Sequence, residues 1–168
     1  MTRLRLQSVM TVLALLVAAA LAQDGLVPKT PIVTVMSAEP VSVAPGGSVR
    51  VELRFRVTPG YHINSNKPRS EFLIPTRLKL SPPAGLAPGA VAYPEGTDLT
   101  FAFSPKEKLN VYAGEFTVRA ELRAPASAPA GSYKVPGELR YQACNDRACF
   151  PPMKLPVEFE VTVRKPRS

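Results

Sequence analysis

Apolar and polar residues alternate along much of the chain, with the period of two that is typical of half-buried β-strands. The clearest run lies at residues 49–57, where five apolar residues alternate with three arginines and a glutamate. Similar runs follow at residues 75–80, 111–122, 139–143 and 155–163. Each run predicts a strand with one face on the core and the other in water.

Turns between these runs are indicated by 19 prolines and 10 glycines, which are scattered through the sequence rather than concentrated in one segment. Shorter extended runs at residues 32–35, 41–43 and 91–93 complete a set of about seven to nine strands. No run beyond the N-terminal segment has the period of an amphipathic helix. The pattern therefore predicts an all-β sandwich. Residues 59–70 are expected to form a long loop, and residues 96–110 are expected to be too irregular for a core strand.

The first 22 residues have the pattern of a secretory signal peptide. Two arginines lie near the start, residues 9–21 are uncharged and mostly apolar, and Ala20-Leu21-Ala22 supplies the small residues that a signal peptidase recognises. An uncleaved membrane anchor is the alternative, but the apolar run is shorter than the roughly 20 residues that cross a bilayer. We therefore expect cleavage before Gln23, an exported domain at residues 23–168 and no stable membrane insertion after cleavage.

The chain is basic, with 21 Lys and Arg residues, 13 Asp and Glu residues and a net charge of +8 at pH 7. Without the two arginines of the signal peptide, this charge falls to +6. The basic residues lie at outward positions of the predicted strands, which is typical of a solvated sandwich face. Because no basic cluster is interleaved with aromatic residues, nucleic acid is not expected as a partner. An acidic partner or membrane surface is only weakly indicated.

Both cysteines of the sequence, Cys144 and Cys149, lie in a short polar segment between the last two alternating runs. Four residues separate them, and Asn145-Asp146 supplies turn chemistry at the start of that separation. Pro151-Pro152 delays the start of the second strand. The pattern predicts a hairpin with a cysteine near each stem. Antiparallel partners with Cα atoms about 5.5 Å apart suit a disulfide.

Spacing alone leaves three uses of this pair open: a structural disulfide, a redox pair and a soft-metal (copper) site completed by Met153 or His62. A ring this small stabilises a fold by only about 2 kcal/mol, which argues against a structural staple. Zinc would require four nitrogen or sulfur ligands, which this segment does not supply. His62 is the single histidine, and it is expected to be a locally hydrogen-bonded loop residue, with a catalytic base or metal ligand as the alternative.

Four short motifs resemble the N-terminal, periplasmic domain of the thiol:disulfide interchange protein DsbD. They are Tyr141-Gln142-Ala143-Cys144, Cys149-Phe150-Pro151-Pro152, the Gly-Tyr-His-Ile-Asn stretch within residues 59–68, and Leu73-Ile74-Pro75-Thr76. The resemblance extends over residues 30–163. It implies an immunoglobulin-like antiparallel β-sandwich whose cysteine pair passes electrons by disulfide exchange in the periplasm, without a cofactor. One departure is that the best-known members have five residues between the cysteines, whereas this chain has four.

The resemblance also implies roles for individual residues. Cys149 would form the mixed disulfide with a partner, and Cys144 would resolve it. In this family a loop with an aromatic residue folds over the cysteines as a cap, and Phe101 and Phe103 lie in the corresponding region; packing of both rings in the core is the alternative. An independent reason for these roles is that Cys144 continues the run at 139–143, while Cys149 borders the Pro-Pro break.

The partners implied are thioredoxin-fold periplasmic proteins, as electron donor and as acceptor. Full-length DsbD continues into a membrane module and a thioredoxin-like domain, and the sequence contains neither, so we expect both partners to be separate proteins. A different class of function stays open beside this one. It is a non-enzymatic, exported immunoglobulin-like binding module whose disulfide is structural.

Overall fold

The computed structural model describes residues 30–165, and this part of the chain consists of β-strands with no helix. The twelve strands are β1 (Val33–Ala38), β2 (Val41–Val43), β3 (Ser48–Val57), β4 (His62–Asn64), β5 (Arg77–Leu80), β6 (Ala87–Ala92), β7 (Thr97–Phe101), β8 (Ser104–Tyr112), β9 (Glu115–Arg123), β10 (Gly131–Tyr141), β11 (Ala143–Cys144) and β12 (Met153–Val163). The all-β prediction is confirmed. Among these described residues, no helix long and apolar enough to cross a membrane was found. The predicted signal peptide lies outside them.

The strands form three four-stranded sheets. The first has the order β1-β3-β9-β6, the second β2-β12-β10-β5 and the third β11-β4-β8-β7. Strand β2 runs parallel to β12, and the other described pairs are antiparallel. Inward side chains of the first and second sheets share one hydrophobic core, so these two sheets form the antiparallel β-sandwich that the sequence predicts.

The alternating runs at 49–57 and 155–163 supply opposite walls of this core. Strand β3 buries every second residue, as does β12, and the inward residues are 5% exposed or less: Val51, Leu53, Phe55, Val57, Val157, Phe159, Val161 and Val163. Phe55 also lies opposite Phe116 of β9, with ring centroids 5.2 Å apart. Burial of such side chains stabilises the fold by about 1.5–3 kcal/mol each, so we expect the domain to fold without its disulfide.

The outer face of the first sheet is charged, as expected from the outward arginines. Arg56 binds Glu115 at 2.7 Å, Arg119 binds Glu52 at 2.7 Å, and a similar pair joins Arg123 to Glu121. Glu121 is about one third exposed to water, and the other five side chains are about half exposed or more. Exposed ion pairs of this kind contribute about 0–1 kcal/mol each, so the face is a solvated surface rather than a source of stability.

Two details of the sequence prediction were wrong. The strands number twelve rather than seven to nine, because β4 and β11 are too short to show a period and most residues of β7 and β8 before Leu109 are exposed. The expected loop at 59–70 contains β4, whose three residues are all buried. Residues 96–110 form no core strand before Leu109, as expected: they make up most of the β7–β8 hairpin, whose residues are mostly exposed up to that point.

The hairpin that the sequence predicts is present, and both cysteines lie in the segment that connects its two strands. Strands β10 and β12 do pair along their full length, from Gly131 opposite Val163 to Tyr141 opposite Met153. The chain then leaves this ladder at Gln142, and β11 joins the third sheet beside β4. The cysteines therefore lie in the connection beyond the end of the β10–β12 ladder, and Cys144 belongs to the third sheet.

Candidate functional site

Cys144 and Cys149 are joined by a disulfide whose Sγ atoms are 2.01 Å apart. The two residues form an isolated antiparallel bridge with their Cα atoms 3.9 Å apart, closer than the separation expected from the sequence. The disulfide closes a ring of six residues, for which loop-closure entropy gives only about 2 kcal/mol. Its contribution is thus comparable with that of one buried core side chain.

The two cysteine residues differ in their exposure to solvent. Cys144 is 0% exposed and belongs to β11, where it lies opposite His62 of β4. Cys149 belongs to no strand and is exposed. A partner protein approaching from solvent therefore meets Cys149 first, while Cys144 lies behind it.

A tight turn connects the cysteines. The Asn145 N–H donates to the carbonyl of Ala148 at 3.0 Å, and the Asn145 side-chain Oδ1 accepts the N–H groups of Arg147 and Ala148 at 2.9 Å each. Side chain to backbone bonds of this kind are the reason that asparagine favours turns. Arg147 and Asp146 face each other at 3.9 Å in full solvent exposure, so their opposite charges largely offset each other near the sulfurs.

His62 lies beneath the site and is not the locally bonded loop residue that was expected. It is 4% exposed, and its Nε2 has no hydrogen-bond partner among residues 30–165. Burial lowers the pKa of His62 to about 4, so the imidazole is neutral at pH 7 and a weak base. In the described part of the chain, no cluster of three or more His, Cys, Asp or Glu side chains has the arrangement of a metal site.

The β7–β8 hairpin contacts this histidine through Phe101, and Phe103 of the same hairpin packs on Phe101. The ring of Phe101 stacks on the imidazole of His62 with centroids 3.8 Å apart, and Phe103 stacks on Phe101 at 5.5 Å. Phe101 is half-buried, Phe103 is 36% exposed, and neither belongs to the hydrophobic core. The alternative of core packing is therefore wrong for both rings. Met153, in contrast, lies on β12, where its sulfur accepts from the Tyr141 hydroxyl at 3.9 Å.

Sequence reasoning missed a buried amide network beside the disulfide. The Gln142 Oε1 accepts from Asn64 Nδ2 at 3.0 Å and from the Ile74 N–H at 3.1 Å, while its Nε2 donates to the Phe150 carbonyl at 3.2 Å. Asn64 is 0% exposed and also donates to the Ile74 carbonyl. The available signal was that Gln142 and Asn64 are part of the motifs that carry the family resemblance.

Comparison with known proteins gives a consistent result. The family model described as "Thiol:disulfide interchange protein DsbD, N-terminal" matches residues 29–160. A comparison with curated protein sequences gave no significant match. The N-terminal periplasmic domain of ScsB from Proteus mirabilis has 15% identity and a TM-score of 0.53, with 83% of this chain and 50% of that chain covered. This chain thus spans half the length of the ScsB chain, and the likeness indicates a shared immunoglobulin-like fold.

Two further solved structures come from Neisseria meningitidis. The DsbD N-terminal domain in its reduced form has 24% identity and a TM-score of 0.42, with 68% of this chain and 82% of that chain covered. The complex between the DsbD N-terminal and PilB N-terminal domains has 23% identity and a TM-score of 0.46, with 80% and 88% covered.

Proposed function

The chain belongs to the family of DsbD N-terminal domains, and from this premise we propose that it exchanges disulfides with thioredoxin-fold proteins of the periplasm through Cys144 and Cys149. The observation that carries the proposal is the difference between the two sulfurs. An exposed Cys149 is bonded to a buried Cys144, which is the arrangement that a stepwise exchange with a protein partner needs: one accessible sulfur and one protected resolver.

The exchange passes two electrons in two steps. A thiolate of a reduced donor attacks Sγ of Cys149, the Cys144–Cys149 bond breaks, and Cys144 leaves as a thiolate that takes up a proton. The second thiol of the donor then attacks the donor's other sulfur, the one bonded to Cys149 in the mixed disulfide, and Cys149 leaves as a thiolate that takes up a proton. This step leaves the donor oxidised and Cys144 and Cys149 reduced. With an acceptor disulfide the steps run in reverse, and Cys144 displaces the reduced acceptor from Cys149.

In the reaction with a donor, the donor supplies the attacking thiolate, and in the reaction with an acceptor disulfide, Cys149 is the attacking thiolate. Among residues 30–165 there is no helix whose N-terminus could stabilise a thiolate, and the charges of Arg147 and Asp146 largely offset each other. The proposal includes export by a signal peptide at residues 1–22 and a periplasmic domain at 23–168, where disulfides persist.

Phe101 is the cap residue in this proposal, because it covers the histidine that lies opposite Cys144. After reduction, Cys144 of a Phe101→Ala variant is expected to react faster with a bulky maleimide, on the order of tenfold, because Cys144 is buried and thiol reactions depend on access to the sulfur. Phe103→Ala is the matched control, since Phe103 contacts Phe101 and not His62. Equal rates in the two variants and the wild type would contradict a cap at Phe101.

The redox state of the exported wild-type protein distinguishes exchange from the structural-disulfide alternative. Cells are quenched in acid and alkylated with a maleimide that changes gel mobility, with reductant-treated and oxidant-treated samples as references. An exchange protein is expected to show a reduced fraction that shrinks when cells are treated with an oxidant. A protein that is fully oxidised under all conditions would instead be a binding module with a structural bridge.

A further inference from the structure

The segment that carries Cys149 is held by its neighbours rather than by a strand. On its C-terminal side, the Phe150 N–H donates to the Ala143 carbonyl at 2.8 Å, and the Phe150 carbonyl accepts from Gln142 Nε2 at 3.2 Å. The Phe150 ring lies 6.0 Å from that of Tyr61. The residue next to Cys149 is therefore fixed through both of its backbone polar groups.

Gln142 connects the Cys149 segment to Asn64 of β4 and to Ile74 through hydrogen bonds. Its Oε1 accepts from Asn64 Nδ2 and from the Ile74 N–H, and its backbone carbonyl accepts from the Asn64 N–H at 3.1 Å. Asn64 is fixed in turn, because the Thr76 hydroxyl donates to its carbonyl at 2.5 Å and its side chain donates to Ile74. One amide thus links the Cys149 segment to β4 and to the chain at residue 74.

We infer that Gln142 is a positioning residue that keeps the Cys149 sulfur facing Cys144 after the disulfide opens. In the oxidised protein the covalent bond fixes the two sulfurs whether or not Gln142 is present. In the reduced protein, the turn at Asn145, the two hydrogen bonds to Phe150 and the contact of its ring with Tyr61 hold them together. These contacts set the effective molarity of one thiol toward the other, and the stability of the disulfide depends on that effective molarity.

The inference deepens the proposed function, on which it rests for its biological meaning, but glutathione alone can test it. Purified protein is equilibrated with mixtures of reduced and oxidised glutathione, and the dithiol and disulfide forms are separated after acid quench. Gln142→Glu keeps the acceptor for Ile74 and Asn64 and removes the donor to Phe150. We expect its disulfide to be about tenfold less stable against glutathione, equivalent to a reduction potential about 30 mV higher.

Two further variants make the result specific. Gln142→Met has no amide, introduces no charge and is expected to shift the equilibrium in the same direction by at least as much. Arg147→Gln changes the net charge by the same amount as Gln142→Glu, leaves the Phe150 bonds in place and is expected to stay within about twofold of the wild type. A cooperative thermal transition of each oxidised variant verifies that it is folded.

Wild-type equilibria in both Gln142 variants would overturn the inference. It would also be overturned if Arg147→Gln shifted the equilibrium as much as Gln142→Glu while Gln142→Met did not shift it, because the effect would then follow charge and not the amide. Because no partner protein takes part, this outcome is separable from the proposed function. A shift in the Gln142 variants without any reduced fraction in cells would support positioning and contradict exchange. Unshifted equilibria in the Gln142 variants together with a reduced fraction in cells would contradict positioning and support exchange.

Discussion

A His62→Phe variant is expected to lose much less stability between pH 7 and pH 5 than the wild type. In the folded protein, burial lowers the pKa of His62 from 6.5 to about 4. Between these two values the unfolded chain binds a proton that the folded protein does not, so wild-type stability falls as the pH falls through this window. The loss attributable to His62 is about 2 kcal/mol at pH 5 and about 3 kcal/mol at pH 4.

Phenylalanine is the informative replacement because it retains an aromatic ring for the contact with Phe101 and has no Nε2 to leave unpaired. The measurement is urea unfolding of both proteins at pH 7, 6 and 5. Asp98 does not interfere, because hydrogen bonds from Arg69 and then Asn110 lower its pKa from 3.8 to about 2. Its contribution is present above pH 3.8 and is lost only as the pH falls toward 2.

Parallel losses of stability in the two proteins over pH 7 to 5 would show that His62 is not the acid-sensitive group. A variant that is less stable at every pH but has a flat profile would still support the assignment, because the slope with pH reports proton binding. A difference in stability that is the same at every pH reports the packing of the replaced side chain.

The long strands could be predicted from the sequence because each has one face on the core and one in water. Residues 49–57 and 155–163 alternate strictly, and they became the greater part of β3 and β12. Their length gives four or five repeats of the period. No contact with a distant part of the chain is needed to recognise them.

Strand β4 could not be predicted in this way. Its three residues, His62 to Asn64, are all buried, so the alternation that marks a half-buried strand is absent. Burial of its two polar side chains depends on β11 and β8, which are remote in sequence. Polar residues beside Gly60 and Pro68 indicate a loop when only the local sequence is considered.

The candidate site also has local features that the sequence predicts and long-range contacts that it does not. The cysteine pair and the turn at Asn145 are local, so spacing and turn chemistry predict them. The stack of His62 on Phe101 and the bonds from Gln142 to Asn64 and Ile74 join residues that are far apart in sequence. Only the pairing of β11 and β8 with β4 brings these groups together.

The roles of the two sulfurs give the largest expected effect on function. In a Cys144→Ser variant, Cys149 can still form a mixed disulfide with a partner, but no second thiol is present to resolve it. Such complexes are expected to accumulate. In a Cys149→Ser variant the remaining thiol is 0% exposed, lies in β11 and sits opposite the buried His62. Few complexes are expected, because a partner disulfide cannot reach that sulfur without opening the strand.

The most direct test of disulfide exchange is therefore a non-reducing gel of cell extracts that contain either exported variant. Cells are quenched in acid and alkylated before lysis, and the double Cys144→Ser, Cys149→Ser variant shows which bands do not depend on a cysteine. The expected result is a set of reductant-sensitive complexes with thioredoxin-fold proteins in Cys144→Ser and few in Cys149→Ser. Equal trapping by both variants would contradict the assigned roles, and no trapping by either would contradict disulfide exchange itself and favour a structural bridge.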